Sequence, residues 1–365
     1  MCSASCNSVY QPEKMPALGP VRMTHHCTQP TLRLHNILAS TAVVTLACGA
    51  YGLAPYNRIQ LTRFYGMADL GFLGWQFLCS AALVYVLALA TYYVFEARVS
   101  TSKSLRCTVA VMAFARAPMT AMRNGLHGVD RVAVLTTLLK AFFGPFMVMA
   151  LMEHVVGSLA NGWAVATQIP LGHGLFVLFN QHGYWLAMQL ILFVDVVIFT
   201  VGYLVETPRL NNEIRSVDAT LLGWSAALLC YPPFNQLTGM VLGSSVSDFP
   251  KFDDPMTHVI LNLMLLGLMA IYASASVALG LKASNLTHRG IVARGPYALV
   301  RHPAYTAKNM AWWIGSAPLV SAAFAQSALT GMNALLTVAG WSLLYVLRAM
   351  TEEDHLRSVD GDYAA

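Results

Sequence analysis

Long apolar runs separated by short polar stretches constrain the fold of this chain more than any other feature. Several runs reach about the 20 residues that an α-helix needs to cross a hydrocarbon layer roughly 30 Å thick. Only 11% of the 365 residues are charged, whereas an ordinary soluble domain carries about 25%. Because so few charges cannot cover the surface of a soluble globule of this size, the sequence predicts an all-α, polytopic transmembrane bundle.

We expect about eight membrane-spanning helices, because eight apolar runs approach the required length. Their approximate ranges are 36–54, 70–95, 131–155, 184–205, 217–243, 257–280, 307–324 and 329–348. A shorter run at 107–115 is flanked by arginines and favours a helix that lies in the membrane interface. Residues 1–35 are expected to be a disordered cytoplasmic tail, 36–255 to hold about five of the spans, and 256–365 to form a C-terminal membrane region.

The distribution of basic residues predicts how these helices are oriented. Loops on one side of the expected bundle carry most of the lysines and arginines, whereas the opposite side holds only Arg58, Arg63 and Lys251. Because cytoplasmic loops are enriched in Lys and Arg, both termini and the polar loop 281–306 are predicted to be cytoplasmic.

Charge pattern and cysteine spacing argue against two kinds of partner. The net charge is +5, but no basic stripe with interleaved aromatic residues indicates nucleic acid. The seven cysteines show no C-x-x-C spacing, so we expect neither a disulfide framework nor a metal site.

Charged residues inside apolar runs are costly in a bilayer and mark either a buried pair or a functional site. Lys140 and Asp195 fall at about the same depth in neighbouring antiparallel spans, since a helix rises about 1.5 Å per residue. We therefore predict that they pair, either as an interhelical clamp or on a substrate or proton path.

The run 217–243 is the weakest of the eight, because Tyr231-Pro232-Pro233 interrupts it. Two prolines remove two backbone donors and disrupt the helical ladder. Asn235 and Gln236 are the expected local partners of the freed carbonyls. The break either only shapes the bundle or forms a cavity for a substrate.

Polar residues that can do chemistry concentrate in two places near the C-terminus. The loop 281–306 is basic and aromatic, and the second place follows the last apolar run. Two spans separate these places, so a helical hairpin would bring them together on one side of the membrane. The candidates are Tyr297, Arg301, His302, Pro303 and Tyr305 in the loop, and Arg348, Glu352 and Glu353 after the last span.

Residue spacing predicts which of these side chains lie together. Pro303 suits the first turn of a helix, and His302 and Tyr305, three residues apart, would share one face of it. Two interpretations follow from the residues alone. The set is either a polar pocket for a charged cofactor, or a group of arginines that reach lipid headgroups beside a solvated glutamate pair.

The C-terminal motifs resemble a family of membrane enzymes. The stretch Gly295-Pro-Tyr-Ala-Leu-Val-Arg-His-Pro-Ala-Tyr305, then a hydrophobic hairpin, then Arg348-x-x-x-Glu352-Glu353-x-x-Leu356, is similar to the isoprenylcysteine carboxyl methyltransferase family. The related phospholipid methyltransferases share this C-terminal arrangement. The resemblance covers about residues 256–365.

This resemblance implies an S-adenosylmethionine-dependent methyltransferase whose cofactor site faces the cytoplasm. The implied acceptor is a lipid-like or prenylated molecule within the membrane lipids, of the prenylcysteine carboxylate or phospholipid amine type. The resemblance implies catalytic roles for Arg301, Tyr305 and Glu352. The implied cofactor-binding residues are Tyr297, His302, Pro303, Tyr305, Arg348, Glu352 and Glu353.

Two other functions are compatible with parts of the sequence. Membrane sterol reductases that use NADPH are similar in C-terminal architecture, but their motif favours Arg-His-x-Asn-Tyr where this chain has Pro303-Ala304-Tyr305. That difference favours the methyltransferase. A non-enzymatic transporter would instead use Lys140, Asp195 and the break at 231–236 as its pathway.

Overall fold

A computed structural model describes residues 29–67, 70–96, 99–120, 125, 128–172, 174–243 and 249–361. The fold is all-α, as predicted, with two short antiparallel ladders. Residues 1–28 of the expected tail lie outside the described residues. The boundary at residue 35 is wrong, because α1 begins at Gln29 and runs to Leu53.

The first half of the chain is built from helices of very different lengths. Helix α1 is followed by α2 (Pro55–Thr62), the hairpin β1 (Phe64–Met67) and β2 (Leu70–Leu73), α3 (Gly74–Phe95) and α4 (Lys103–Arg116). Next come α5 (Gly128–Gln168), α6 (Leu175–Leu178), a π-helical turn at Phe179–Gly183, and α7 (Tyr184–Leu204). Helix α4 contains the run 107–115 that was predicted to be an interfacial helix.

The second half begins with β3 (Ser216–Val217), α8 (Leu221–Leu228), α9 (Asn235–Leu242) and α10 (Pro255–Leu279). Strand β4 (Thr287–His288) pairs with β3, so Ser216 lies opposite His288. The chain then forms a hairpin of α11 (Pro303–Gln326) and α12 (Ala328–Val359). Short 3₁₀ turns lie at Ile169–Leu171, Pro208–Leu210, Gly280–Lys282 and Gly295–Ala298.

Six helices of the described residues are long and apolar enough to cross a membrane, which is compatible with a multi-pass membrane protein. They are Gln29–Leu53, Gly74–Phe95, Asp130–Leu171, Leu175–Leu204, Pro255–Lys282 and Ala328–Val359. The expected number of about eight is therefore not reached. Helix α11 covers the predicted span 307–324, but it is not among the six, and it contains the charged Lys308 and an internal Pro318.

The predicted fifth span is two short helices, because the chain turns at the cis Pro232-Pro233 bond between α8 and α9. The Asn235 amide donates to Tyr231 O at 3.0 Å, and the Gln236 amide donates to Pro233 O at 3.2 Å. The carbonyls that the two prolines free are those of Leu228 and Leu229, so the expectation that Asn235 and Gln236 satisfy them is wrong; the Tyr231 amide donates to Leu228 O at 2.9 Å instead. Thr238 adds a side-chain bond, with its Oγ1 donating to Leu229 O at 2.9 Å.

The predicted pair of Lys140 with Asp195 is wrong. Lys140 Nζ on α5 lies 2.7 Å from Glu206 Oε2, just beyond the end of α7. Asp195 is buried against α10, where it accepts hydrogen bonds from Tyr272 Oη at 3.1 Å and from Ser276 Oγ. Equal depth in the membrane was not sufficient to predict a pair, because the Lys140 and Asp195 side chains lie on different sides of their helices.

An aromatic core joins α5, α7 and the turn between α8 and α9. The rings of Phe143 and Tyr203 stack with centroids 5.0 Å apart, and Tyr231 meets Phe143 edge-on at 5.1 Å. A Cβ at Gly202 would lie 2.2 Å from the Ala283 carbonyl oxygen. Glycine at 202 therefore lets α7 approach the polar loop 281–306 closely, which fixes the position of that loop on the bundle.

Candidate functional site

The Arg-His-Pro-x-Tyr motif leads directly into α11. Pro303 is the first residue of the helix, as predicted, and it is buried. The rings of His302 and Tyr305 stack in parallel, with centroids 5.4 Å apart and planes 3° apart. This confirms that the two side chains share one face of the helix start.

The α11–α12 hairpin brings the glutamate pair back to this motif. Tyr305 Oη donates to Glu352 Oε2 at 2.8 Å, and His302 Nε2 lies 3.1 Å from Glu353 Oε1. Arg301 Nη1 lies 3.3 Å from Glu353 Oε2. Residues that are 47 to 52 positions apart in sequence are therefore in direct contact. The α11–α12 hairpin therefore brings the two places into contact.

Arg348 has a different environment from the one the resemblance implied. The resemblance implies that its guanidinium binds the cofactor, but Nη2 donates to Asn285 Oδ1 and lies 3.5 Å from Tyr231 Oη. The side chain is buried, and its guanidinium carbon lies 5.0 Å from the ring centroid of Tyr305 and 5.8 Å from that of Tyr345. Aromatic faces stabilise a cation at such distances, so Arg348 holds the tyrosines in place.

We call the six residues Arg301, His302, Tyr305, Arg348, Glu352 and Glu353 the C-terminal cluster. Tyr297 lies beside it, on the 3₁₀ turn at Gly295–Ala298. Burial raises the pKa of the Tyr297 phenol above its usual value, and the negative charge of Glu352 raises it further. Tyr297 is therefore a neutral hydrogen-bonding group at physiological pH.

Asn285, Tyr231 and Tyr345 complete the surroundings of Arg348, and sequence reasoning did not single them out as site residues. Asn285 lies within the polar loop that was singled out, and Tyr231 directly precedes the diproline. The polar loop and the diproline are therefore visible in the sequence as two unusual segments. Their contact with Arg348 depends on how α8, α9 and α12 pack, which no motif in the sequence encodes.

The cluster encloses little space. A cavity of about 20 Å³ lies between Asp218, Tyr305, Arg348, Glu352 and His355, and this is enough for roughly one water molecule. Arg301, in contrast, leaves 63% of its side chain exposed at the surface. The cluster is therefore closed, with its carboxylates bonded to groups of the same chain.

The donors and acceptors of the cluster match S-adenosylmethionine in chemistry but not in available space. Two carboxylates can accept hydrogen bonds from an amine or from ribose hydroxyls, and the exposed guanidinium of Arg301 can bind a carboxylate. Binding such a ligand requires the Tyr305–Glu352 and His302–Glu353 contacts to separate. The residues fit the group once that opening has occurred.

Comparison with known proteins adds no family assignment to this geometry. No family model matches the chain, no curated protein matches it, and no solved structure matches it.

Proposed function

We propose that this protein is a membrane methyltransferase that transfers a methyl group from S-adenosylmethionine to a lipid-like acceptor. One observation carries the proposal. The Arg-His-Pro-x-Tyr motif and the glutamate pair are in contact through three side-chain pairs, although each motif alone is weak evidence for this function. The resemblance to the isoprenylcysteine carboxyl methyltransferase family involves the same two motifs. The basic loops that surround the cluster favour a site on the cytoplasmic side.

Each residue of the cluster has a role that its chemistry allows. Glu352 and Glu353 would hold the amine or the ribose hydroxyls of the cofactor, and Arg301 would hold its carboxylate. Tyr297, His302 and Tyr305 would line the pocket, and Pro303 sets the helix start that presents two of them. Arg348 is a positioning residue, because it fixes the tyrosines from behind.

The proposed reaction requires little acid–base catalysis by the protein. When bound, S-adenosylmethionine supplies a methyl group already activated by its sulfonium. The chain must align the donor and acceptor and exclude water. A carboxylate acceptor needs no base. An amine acceptor must be neutral, and the Glu352 carboxylate is placed to take its proton.

Ligand-dependent thermal stabilisation of the purified protein in a neutral detergent tests this proposal. S-adenosylmethionine and S-adenosylhomocysteine should raise the Tm. Glu352→Gln and His302→Ala should abolish that shift, because each removes a group that contacts the cofactor. Asp354→Asn is the matched control, since this neighbouring carboxylate is 77% exposed and lies outside the cluster.

The outcomes separate the candidate functions. A shift with NADPH in place of the methyl donor would identify a reductase. Equal shifts in Glu352→Gln and the wild type would place the cofactor elsewhere. Transfer of a labelled methyl group to a membrane lipid extract, followed by product analysis, then identifies the acceptor.

A further inference from the structure

A cavity of about 470 Å³ lies in the first half of the chain, between α1, α3, α4, α5 and the end of α7. This volume is within the range of small-molecule sites, roughly 300–1,000 Å³. Its lining, among the described residues, shares no member with the C-terminal cluster. The cavity is therefore a separate feature that the proposed methyl transfer does not use.

One end of the cavity has an unbalanced group of partly buried charges. Lys103 and Lys140 both line it, and both contact the same carboxylate, that of Glu206. Lys140 Nζ lies 2.7 Å from Glu206 Oε2, while Lys103 contacts Oε1 and donates to Ile214 O at 2.8 Å. Two ammonium groups share one carboxylate, so one positive charge is in excess.

The other charged groups that face this end do not cancel the excess. Glu96 and Arg209 pair with each other at 2.9 Å, and Glu213, which also lines the cavity, is exposed at the surface. Arg289 is buried close enough to Glu206 to interact with its charge, which adds a further cation. An uncompensated buried charge is costly, so this end of the cavity favours an anion.

Two hydroxyls on the cavity wall also lack partners. Thr136 Oγ1 and Thr207 Oγ1 are buried and have no hydrogen-bond partner among the described residues. Thr136 is only 1% exposed. Buried polar groups are nearly always hydrogen-bonded, so these two hydroxyls leave hydrogen-bonding capacity unused in the cavity wall.

Away from the lysines, the cavity wall is mainly apolar. Along α5 the lining changes from Thr136 and Lys140 to Gly144 and Val148, over about 18 Å. A Cβ at Gly144 would meet no atom within 4 Å, although the residue is buried, so open space adjoins it. The facing wall on α3 is formed by small and aliphatic side chains such as Leu78, together with Tyr85, Tyr92 and Tyr93.

We propose that this cavity binds a single-chain anionic amphiphile. Its phosphate or carboxylate oxygens bind Lys103 and Lys140, and its hydrocarbon chain lies along α3 and α5 past Gly144. A cavity of about 470 Å³ that extends over about 18 Å has room for one extended hydrocarbon chain and its headgroup. The proposal is independent of methyl transfer, because it involves different residues.

Native mass spectrometry of the protein in a neutral detergent tests this site with defined probes. Lysophosphatidic acid should bind with one equivalent, and about tenfold more tightly than lysophosphatidylcholine of the same chain, since only the former leaves a net negative charge for the lysines. Glycerol 3-phosphate, which has the head without the chain, should bind far more weakly than either.

Two variants locate the site. Gly144→Leu should abolish binding of both lipids, because the new side chain fills the apolar end without a clash. Gly267→Leu is the matched control: this glycine also has open space at its Cβ, but it lies on the exposed face of α10. Lys140→Met should remove the preference for the phosphate lipid, while Lys103 still neutralises Glu206.

Three results would overturn the proposal. Equal binding of lysophosphatidic acid and lysophosphatidylcholine by the wild type would show that the lysines do not distinguish the two headgroups. Unchanged binding by Gly144→Leu would place the lipid elsewhere. Equal binding of glycerol 3-phosphate and lysophosphatidic acid would show a site for a free anion rather than for a lipid.

Discussion

The two charged regions of this protein are opposites in charge balance and in space. In the C-terminal cluster, Glu353 contacts Arg301, His302 and Arg357, and the enclosed volume is about 20 Å³. In the N-terminal cavity, two lysines share Glu206, and the volume is about 470 Å³. The groups of the cluster bond to one another, so the cluster must open to bind a ligand, whereas the cavity is open and its two lysines share one carboxylate.

The difference teaches that buried charge alone does not identify a binding site. Arg348 and Lys140 are both cations on helices long and apolar enough to span a membrane. Arg348 is enclosed by Asn285 and aromatic rings, so its charge stabilises the fold. Lys140 lies at an open cavity with an excess of positive charge, so its ammonium group remains available to a ligand. Three predictions test this contrast, from the largest expected effect to the smallest.

Replacement of Arg348 should have the largest effect. Arg348→Met leaves Asn285 and Tyr231 without their buried partner and removes the cation from the tyrosine faces. We expect the free energy of unfolding to fall by roughly 4 kcal/mol, measured by denaturant or thermal unfolding in detergent. Arg357→Gln is the control, since Arg357 is half exposed. Similar losses in the two variants would contradict a structural role for Arg348.

Acid should destabilise the protein through the lysine pair of the N-terminal cavity. Burial opposes ionisation of Glu206, but Lys140 and Lys103 lower its pKa from 4.5 to about 2. A folded-state pKa below the unfolded value stabilises the protein above pH 4.5, and this contribution is lost as the pH falls towards 2. It amounts to at most about 3 kcal/mol.

The matched variant for this pH dependence is Glu206→Gln, which cannot titrate. Its unfolding free energy should be lower than that of the wild type at pH 7, and the gap should narrow as the pH falls from 4.5 to 3. Circular dichroism during thermal unfolding at each pH measures the gap. A constant gap across this range would mean that Glu206 is not held ionised by the lysines.

The smallest effect is expected at the rim of the C-terminal cluster. Arg357→Gln removes one of the three side chains that hold Glu353, at 2.6 Å from its Oε2. If the cluster must open for its ligand, S-adenosylmethionine should bind this variant about threefold more tightly, as expected for loss of an exposed ion pair. Isothermal calorimetry measures the affinity. Weaker binding would indicate that Arg357 itself contacts the ligand.

The sequence predicted the parts of this structure that depend on local pattern. Apolar runs of sufficient length gave the long helices, and Pro303 marked the start of α11 correctly. The hairpin prediction placed Tyr305 near Glu352 because only two helices separate them. These inferences need only helix length and residue spacing, both of which are local properties.

The remaining errors concern the rotation of helices about their axes and the breaks within apolar runs. The hydrophobic pattern of the sequence indicates neither. Lys140 and Asp195 were matched by depth, but a partner also depends on the direction in which each side chain points around its helix. Glu206 was overlooked because it follows the end of α7, outside the apolar run. The break at Pro232-Pro233 was visible, yet average hydropathy across 217–243 still suggested one span.

The position of Arg348 in the chain has a consequence for biosynthesis. Among the described residues, the N-terminal cavity is lined by side chains up to Glu213, so all of these residues are synthesised before the ribosome reaches β3. Asn285 is made 63 residues before Arg348. The C-terminal cluster is therefore completed last, when α12 joins the bundle, and a nascent chain possesses its lipid-sized cavity well before its proposed catalytic centre.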